Sequence, residues 1–271
     1  MFGTNRGLGD CSIIARSACA ISTQDWKRAK GFGSGVTAGK RVLVVVPAYN
    51  EEANIEKTVD SLRERDYSFI VVNDGSRDGT EEALIESGIP HIHLIRNLGI
   101  GGAVQTGYRY ARDHGYDIAV QFDGDGQHDA DYIDRLIEPI VVGSANMSIG
   151  SRFVGAESGF RSSAPRRLGI NILSGALKLA TGKRIRDVTS GFRAVDSTLI
   201  DLFAENYPED YPEPESIAFA IGNGCVVEEV PVAMHERKGG ESSIAGFDIV
   251  WYMLKVGLSV LLRGSYGKGR A

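Results

Sequence analysis

The fold is decided by residues 41–65, which read "RVLVVVPAYNEEANIEKTVDSLRER". The first nine residues form a nearly continuous apolar run, typical of a parallel-sheet strand that is covered on both faces. The remainder carries apolar side chains at helical spacing (Ile55, Val59 and Leu62), with Asn50 as the predicted N-cap. A buried strand followed directly by an amphipathic helix begins a βαβ unit, which predicts an α/β protein.

The same alternation continues along the chain. Further apolar strands are predicted at 68–76, 91–95, 116–123 and 145–153, and helices at 78–88, 101–115 and 130–141. Strict alternation implies right-handed crossovers, a mostly parallel central sheet, and helices on both faces of that sheet. We therefore expect one α/β domain over residues 41–246.

Composition excludes several classes of protein. The chain has 271 residues and 42% hydrophobic residues, enough for a sizeable core. Its net charge of −5 argues against a general nucleic-acid binder, which would carry a basic surplus. The three cysteines (Cys11, Cys19 and Cys225) lack the paired spacing of a zinc site or disulfide framework, which favours a reducing cytoplasm.

Both ends of the chain differ from this pattern. Residues 1–40 have no steady periodicity and end in a Gly/Ser-rich stretch, so we expect a poorly ordered extension without a functional role. Residues 247–262, "FDIVWYMLKVGLSVLL", are strongly apolar but shorter than the ~20 residues that span a bilayer. Either a core helix or a helix on a membrane surface fits this segment, and the basic tail favours the membrane surface. We expect 247–271 to form an amphipathic helix and basic tail packed on the domain or the membrane.

Polar residues follow the predicted strands at the points where the strands end. Tyr49, Asp74, Asn97 and Asp123 each come directly after an apolar strand. Ligands of open α/β sheets bind beyond the carboxyl ends of the strands. The sequence therefore predicts that these four residues share one site.

The segment 121–132, "QFDGDGQHDADY", is rich in oxygen ligands. Asp123, Asp125 and Gln127 are two residues apart, so an extended backbone would point all three in the same direction. Neighbouring carboxylates repel one another unless a cation compensates them, and Mg²⁺ or Mn²⁺ prefers oxygen ligands and shares itself with phosphates. A solvated Asp/Gly turn is the alternative.

Other nucleotide-binding patterns fit poorly. The stretch "NLGIGGAVQTG" lacks the third glycine of a dinucleotide fingerprint, which would fall at Val104, and the chain has no P-loop. His91 and His93 alternate within a strand and are interpreted as packing residues. His128, beside the acidic loop, and His235 stay candidate site residues.

Seven segments together resemble the family-2 glycosyltransferases. They occur in the family's order: "VVVPAYNEE", "VVNDGSRDGT", "NLGIGGAVQTG", "QFDGDGQH", "GSRF", "DVTSGFRA" and "VPVAMHERKGGESSI". The chain is most similar to bacterial members that resemble dolichyl-phosphate mannosyltransferase, including enzymes of surface-polysaccharide pathways. The resemblance runs from about residue 41 to about residue 264.

This resemblance implies a GT-A fold with a single nucleotide-sugar-binding domain, a nucleotide-diphosphate sugar donor, a divalent ion (Mg²⁺ or Mn²⁺) and inversion at the anomeric carbon. It implies a nucleoside pocket, backbone approach to the nucleotide, and a metal site. The residues that would line the nucleoside pocket are Pro47, Tyr49, Glu51 and Asp74. At Asn97 and Gly101 the protein backbone would come close to the nucleotide. The metal ligands would be Asp123, Asp125 and Gln127. A bound cation would stabilise the charge of the leaving diphosphate, which makes Asp125 catalytic.

The resemblance also suggests roles for five further residues. Arg152 is expected to donate to the leaving diphosphate, with a surface ion pair as the alternative. Arg166 and Arg167 are expected to bind an acceptor phosphate. Arg237 and Ser242 lie in a late loop that would close over the donor diphosphate.

The acceptor decides whether a general base is needed. A lipid phosphate is already anionic, whereas a sugar hydroxyl must lose its proton to a carboxylate. In "YPEDYPEPES", residues 207–216, prolines fix the backbone around Glu213 and Glu215. Glu215 is the predicted base, and a helix-capping or solvated acid is the alternative.

The sequence thus predicts an inverting, metal-dependent glycosyltransferase that acts on a lipid-linked polyprenyl acceptor in cell-surface polysaccharide synthesis. We expect a cytoplasmic protein, peripheral on the inner face of the membrane, that binds no nucleic acid; a homo-oligomer is compatible with the sequence. One alternative is a polyprenyl-phosphate glycosyltransferase. Another is a non-catalytic module that binds sugar nucleotides.

Overall fold

A computed structural model describes residues 36–37, 39–155, 164–209 and 211–234. Most of the expected N-terminal extension lies outside this part of the chain. The expected C-terminal helix at 247–271 also lies outside it, as do His235, Arg237 and Ser242.

The described chain contains eight strands and seven α-helices. The strands are β1 (Val36–Thr37), β2 (Lys40–Ala48), β3 (Ser68–Asn73), β4 (His91–His93), β5 (Ile118–Gln121), β6 (Met147–Ser151), β7 (Arg193–Asp196) and β8 (Val227–Pro231). The helices are α1 (Ile55–Arg63), α2 (Thr80–Glu86), α3 (Gly99–Asp113), α4 (Ile133–Val141), α5 (Ala164–Thr181), α6 (Ser197–Glu205) and α7 (Pro212–Gly222). A 3₁₀ turn at Ala130–Tyr132 precedes α4.

The strands form one mixed sheet in the order β4-β3-β2-β5-β7-β6-β8. The pairs β2–β3, β2–β5, β3–β4 and β6–β8 are parallel, which confirms the expected mostly parallel sheet. The sequence did not predict β7, which lies antiparallel to both of its neighbours, β5 and β6. The short β1 pairs antiparallel with β2, so the last residues of the expected extension are joined to the domain.

The core lies on both faces of the sheet. Successive side chains of β2 alternate between the faces, as the period of a strand requires. Val42, Val44 and Val46 pack with apolar residues of α1 and α4, whereas Leu43 and Val45 pack with α3, α5, α6 and α7. This arrangement confirms the expected helices on both faces, and the sheet unites the two halves of the core in one domain.

The start of α1 differs from the prediction. The helix begins at Ile55, and Asn50 is not its cap but has left-handed backbone geometry, with φ of 56°. The Asn50 side-chain oxygen accepts a 2.9 Å hydrogen bond from the Arg77 N–H, and its own N–H donates to the Ser76 hydroxyl. Asn tolerates left-handed geometry because its short polar side chain bonds locally. Asn50 therefore ties the loop after β2 to the loop after β3, at the edge where the site lies.

Candidate active site

A cleft of about 440 Å³ opens beyond the carboxyl ends of β2, β3 and β5. It lies where ligands of open α/β sheets bind. Most of the residues predicted for the nucleoside and the metal line it together: Pro47, Tyr49, Glu51, Asp74, Asn97, Asp123 and Asp125. Tyr49 is 42% exposed, so its ring is available for stacking on a nucleotide base.

Asp74 is a fixed acceptor at one end of the cleft. Its backbone N–H donates to the Ala48 carbonyl at 2.8 Å, and its carboxylate accepts a 2.7 Å bond from the Leu98 N–H. The residue is only 3% exposed, and burial raises the pKa of its carboxyl, while the N–H groups of Leu98 and Gly99 partly offset that rise. The group is thus held in position, with its charge stabilised by the backbone at the start of α3.

The loop after β5 brings two carboxylates into the cleft. Asp123 and Asp125 both line it, whereas Gln127 does not; the Gln127 backbone N–H donates to the Asp125 carboxylate at 3.0 Å. The Gln121 side-chain amide donates to Asp123 at 3.3 Å.

Two carboxylates that line one cleft suit Mg²⁺ or Mn²⁺, because such ions commonly take one or two protein carboxylates and complete their shell with substrate phosphates and water. Within the described ranges, no group of three or more His, Cys, Asp and Glu side chains forms a closed metal cage. The donor set therefore fits a divalent ion shared with a bound diphosphate.

Asn97 and Gly101 have different positions. Asn97 lines the cleft, and its side-chain oxygen accepts a 3.1 Å bond from the Gly99 N–H. Gly101 lies instead against the segment before α7. A Cβ atom at Gly101 would lie 2.5 Å from the Pro208 carbonyl oxygen and 2.7 Å from that of Glu209. The close approach that requires glycine here is between two parts of the protein chain.

Arg152 forms a buried ion pair, whereas the alternative considered for it was a surface pair. Its guanidinium donates two 2.8 Å bonds to the Asp187 carboxylate and one of 3.2 Å to the Thr189 hydroxyl. Its backbone N–H donates to the same carboxylate at 3.0 Å. Arg152 does not line the cleft, so its role as a donor to the diphosphate stays a prediction.

The structure brings Glu213, and not Glu215, to the cleft. Both belong to the first turn of α7, but Glu213 lines the cleft while Glu215 is 4% exposed and lies outside it. Burial raises the pKa of Glu213, the positive charge of Arg193 opposes this rise, and the negative charge of Asp123 adds to it. Glu213 is therefore the acid of this segment that lines the cleft, and the role of Glu215 as the base stays a prediction.

Arg193, which sequence reasoning did not select, holds the start of α7 in place. Its buried guanidinium donates 2.7 Å bonds to the Glu213 carbonyl and the Ser216 hydroxyl, a 2.6 Å bond to the Ser190 carbonyl, and a 3.4 Å bond to the Val188 carbonyl. The quoted segment "DVTSGFRA" contains this arginine, but nothing in that segment indicates which way the side chain points.

The predicted acceptor-binding arginines lie at the start of α5. Arg167 is exposed on the helix surface, and Arg166 precedes it in the same helix. Met234 forms an antiparallel bridge with His128 in the loop after β5, whereas Arg237 and Ser242 lie outside the described residues.

Comparison with known proteins shows the family. The model of the glycosyl transferase family 2 domain matches residues 43–202. The polyprenol monophosphomannose synthase of Mycolicibacterium smegmatis is 32% identical, covering 85% of this chain and 92% of that protein. The undecaprenyl-phosphate mannosyltransferase of Micrococcus luteus is 32% identical, and the match covers 76% of this chain and 88% of that protein. The UDP-N-acetylglucosamine–dolichyl-phosphate N-acetylglucosaminyltransferase of Methanococcus voltae is 30% identical, and the match covers 81% of this chain and 98% of that protein.

Solved structures show the same fold. The glucosyl-3-phosphoglycerate synthase of Mycobacterium tuberculosis, in complex with Mn²⁺, UDP-glucose and phosphoglyceric acid, superposes with a TM-score of 0.64. It is 22% identical in sequence, and the match covers 90% of this chain and 84% of that chain. The fold is thus the GT-A fold, and the chain belongs to the family-2 glycosyltransferases.

Proposed function

We propose that this glycosyltransferase moves a sugar from a nucleotide-diphosphate sugar to the phosphate of a polyprenyl phosphate, with the help of Mg²⁺ or Mn²⁺. The observation that carries the proposal is that one cleft is lined both by Tyr49 and Asp74 and by the two acids Asp123 and Asp125. Relatives over most of the chain are named for polyprenol-type or dolichyl-type phosphates, which supports this acceptor class.

The donor would lie along the cleft. Its base would stack on the exposed Tyr49 ring, and the Asp74 carboxylate would accept hydrogen bonds from the base or the ribose. Asp123 and Asp125 would hold a divalent ion, which when bound supplies positive charge to the departing diphosphate.

A phosphate acceptor requires fewer protein groups than a hydroxyl acceptor. Its oxygen is anionic at neutral pH and attacks without a general base. Glu215, the residue predicted for that base, is buried outside the cleft. Arg167, exposed at the start of α5, offers a guanidinium that can bind phosphate in a bidentate manner.

One observation favours a second acceptor class. Glu213 lines the cleft together with Asp123, and a carboxylate there is placed to take a proton from a sugar hydroxyl. With such an acceptor the enzyme would extend a lipid-linked sugar in cell-surface polysaccharide synthesis.

The acceptor lipid would bring the enzyme to the cytoplasmic surface of the membrane. In the described part of the chain, no helix has the length and apolar character that crossing a bilayer requires. The apolar stretch 247–262 and the basic residues after it are the segment we propose for surface attachment.

A transfer assay tests the proposal. The protein, Mn²⁺ and a panel of radiolabelled nucleotide-diphosphate sugars are incubated with undecaprenyl phosphate, and the label that becomes extractable into organic solvent is counted. Dephosphorylated undecaprenol serves as the matched acceptor control, and an undecaprenyl-linked sugar is assayed in parallel as the hydroxyl acceptor. We expect label in the lipid only with the phosphate. Transfer to a lipid-linked sugar but not to undecaprenyl phosphate would refute the phosphate acceptor and support the hydroxyl acceptor.

A further inference from the structure

His128 contacts both the backbone and the side chain of Asp123. Its Nδ1 atom accepts the Asp123 backbone N–H at 2.9 Å, and its Nε2 atom lies 3.5 Å from the Asp123 carboxylate. Because Nδ1 is an acceptor, the proton of the neutral ring is on Nε2, the atom nearest that carboxylate. One imidazole ring thus restrains both the path of the loop and the direction of the Asp123 side chain.

Packing fixes the ring itself. The His128 side chain is 3% exposed. It stacks on Phe192 with centroids 4.8 Å apart and an interplanar angle of 20°, and it meets the Phe122 ring edge-on at 5.5 Å. Burial is the main cause that lowers the pKa of His128 to about 4; the negative charge of Asp125 opposes this lowering, and the positive charge of Arg152 adds to it.

The loop needs such a restraint because its two carboxylates repel each other. Asp123 and Asp125 are both in the cleft, and without a cation their charges favour rotation of the side chains away from each other. The side-chain amide of Gln121 opposes this rotation through a long hydrogen bond of 3.3 Å. The His128 Nε2 atom lies beside the other oxygen of Asp123, at 3.5 Å, and adds to this restraint.

We propose that His128 is a positioning residue for the divalent ion, acting through Asp123: its Nε2–H and Nδ1 hold the Asp123 carboxylate in the direction that the ion requires before the ion binds. The inference rests on the metal-binding part of the proposed function. Groups that orient a metal ligand in this way typically contribute 10–100-fold to metal affinity.

The test measures Mn²⁺ affinity, with Mn²⁺ alone as the probe, by the electron paramagnetic resonance signal of the free ion. His128→Phe keeps an aromatic ring but removes the acceptor of the Asp123 N–H and the Nε2–H group near the Asp123 carboxylate, and we expect it to weaken Mn²⁺ binding by about 10–100-fold. If the larger ring prevents folding, His128→Met, with its adaptable side chain, takes its place. His128→Gln restores an acceptor and a donor, and we expect it to recover part of the lost affinity.

Thr58→Val is the matched control. The Thr58 hydroxyl donates a 3.1 Å bond to the Gly124 carbonyl, so this variant removes one hydrogen bond to the same loop without touching Asp123. We expect its Mn²⁺ affinity to stay within about threefold of wild type, since a single neutral hydrogen bond contributes little to net stability.

The outcomes separate the inference from the function on which it rests. Wild-type Mn²⁺ affinity in His128→Phe or His128→Met would overturn the positioning role, as would an equal loss in Thr58→Val. A wild-type protein that binds no Mn²⁺ would overturn the metal assignment and this inference with it. A wild-type protein that binds Mn²⁺ but transfers no sugar to undecaprenyl phosphate would overturn the proposed acceptor alone.

Discussion

The Asp74 carboxylate accepts a 2.7 Å hydrogen bond from the backbone N–H of Leu98, which joins the end of β3 to the start of α3. Two effects act on this carboxyl in opposite directions. Burial disfavours its charge, while the N–H groups of Leu98 and Gly99 favour it, and the net result is a raised pKa. The carboxyl that would bind the nucleoside therefore has a pKa raised above the ordinary aspartate value.

Acidification should weaken donor binding at a higher pH than an ordinary aspartate would cause. As the pH falls from about 7 towards the usual aspartate pKa of 3.8, Asp74 takes up a proton at a higher pH than an ordinary aspartate does. The protonated carboxyl then has one hydrogen-bond acceptor site fewer for the nucleoside. We expect nucleoside diphosphate affinity, measured by calorimetry, to fall in that window, and Asp74→Asn to show weak affinity without that pH dependence. Asp117→Asn, at the opposite edge of the sheet, is the control. An unchanged profile in Asp74→Asn would exclude Asp74 as the titrating group.

The same shift has a consequence for stability. Because the folded pKa lies above the unfolded value, the folded chain holds a proton that the unfolded chain has already released. Asp74 therefore stabilises the fold at low pH, and this contribution is lost as the pH rises through the folded pKa. Urea titrations at a series of pH values should show that the free energy of unfolding falls less with rising pH in Asp74→Asn than in wild type. An equal fall in the free energy of unfolding in the two proteins would mean that groups other than Asp74 cause the pH dependence.

Asp125→Asn should abolish metal-dependent binding of a nucleoside diphosphate and the transfer reaction. The amide keeps the shape and can still accept the Gln127 N–H, but it removes the charge that the ion requires. The melting temperature should stay within a few degrees of wild type. Asp129→Asn is the matched control, since Asp129 lies in the same loop but caps the following 3₁₀ turn. Full transfer by Asp125→Asn, or by wild type in excess chelator, would remove the metal assignment.

Glu213→Gln should distinguish the two acceptor classes. With a phosphate acceptor we expect the rate of transfer to stay within about tenfold, because no proton has to be removed. A general base contributes typically 10²–10⁴-fold, so a loss of that size with little change in donor affinity would favour the hydroxyl acceptor. Glu215→Gln, which changes a carboxyl outside the cleft, is the matched control. If the control loses transfer while Glu213→Gln keeps it, the assignment of Glu213 to the cleft chemistry is wrong.

Removing one partner of the Arg152–Asp187 pair should destabilise the protein strongly. Asp187 is fully buried and accepts three hydrogen bonds from Arg152. Asp187→Ala removes the carboxylate that balances the charge of the buried Arg152 guanidinium, a change that typically costs about 3–5 kcal/mol. Arg152→Met combined with Asp187→Leu should recover much of that loss. Urea unfolding measures both effects. Stable Arg152→Met that nevertheless loses transfer would instead support the diphosphate-binding role predicted from the sequence.

Deletion of residues 247–271 should release the protein from vesicles that contain anionic lipid. An amphipathic segment with a basic tail binds such surfaces through buried apolar area and charge attraction. Co-sedimentation with vesicles of mixed phosphatidylglycerol and phosphatidylcholine measures the effect, and neutral vesicles are the control. A truncated chain that loses its cooperative unfolding transition would show that the segment belongs to the core instead.

The sequence predicted the sheet well where the strands are buried on both faces. β2, β3 and β5 appear as apolar runs because each side chain of such a strand meets a helix layer. β7 has only four residues, "RAVD", two of them charged, so neither length nor periodicity marks it as a strand. Its antiparallel direction depends on partners that are distant in sequence, β5 and β6, and no local pattern encodes this direction.

The candidate site was predictable where it follows strand ends and not where it depends on a helix. The rule that parallel strands end at one edge placed Tyr49, Asp74 and Asp123 together. Glu213 and Glu215 could not be separated in this way, because residues two apart on a helix face directions about 200° apart and only one can meet the cleft. Which one does so depends on the hydrogen bonds of Arg193 to the first turn of α7, a tertiary contact.

The place of β7 between β5 and β6 sets the order in which the protein can be completed during synthesis. β5, which leads into the Asp123 loop, has been made some seventy residues before its second neighbour leaves the ribosome. At typical elongation rates this interval is on the order of ten seconds, during which β5 is an open edge able to pair with other chains. The nascent protein therefore exposes the edge of β5, the strand that leads into the Asp123 loop, until β7 has been made.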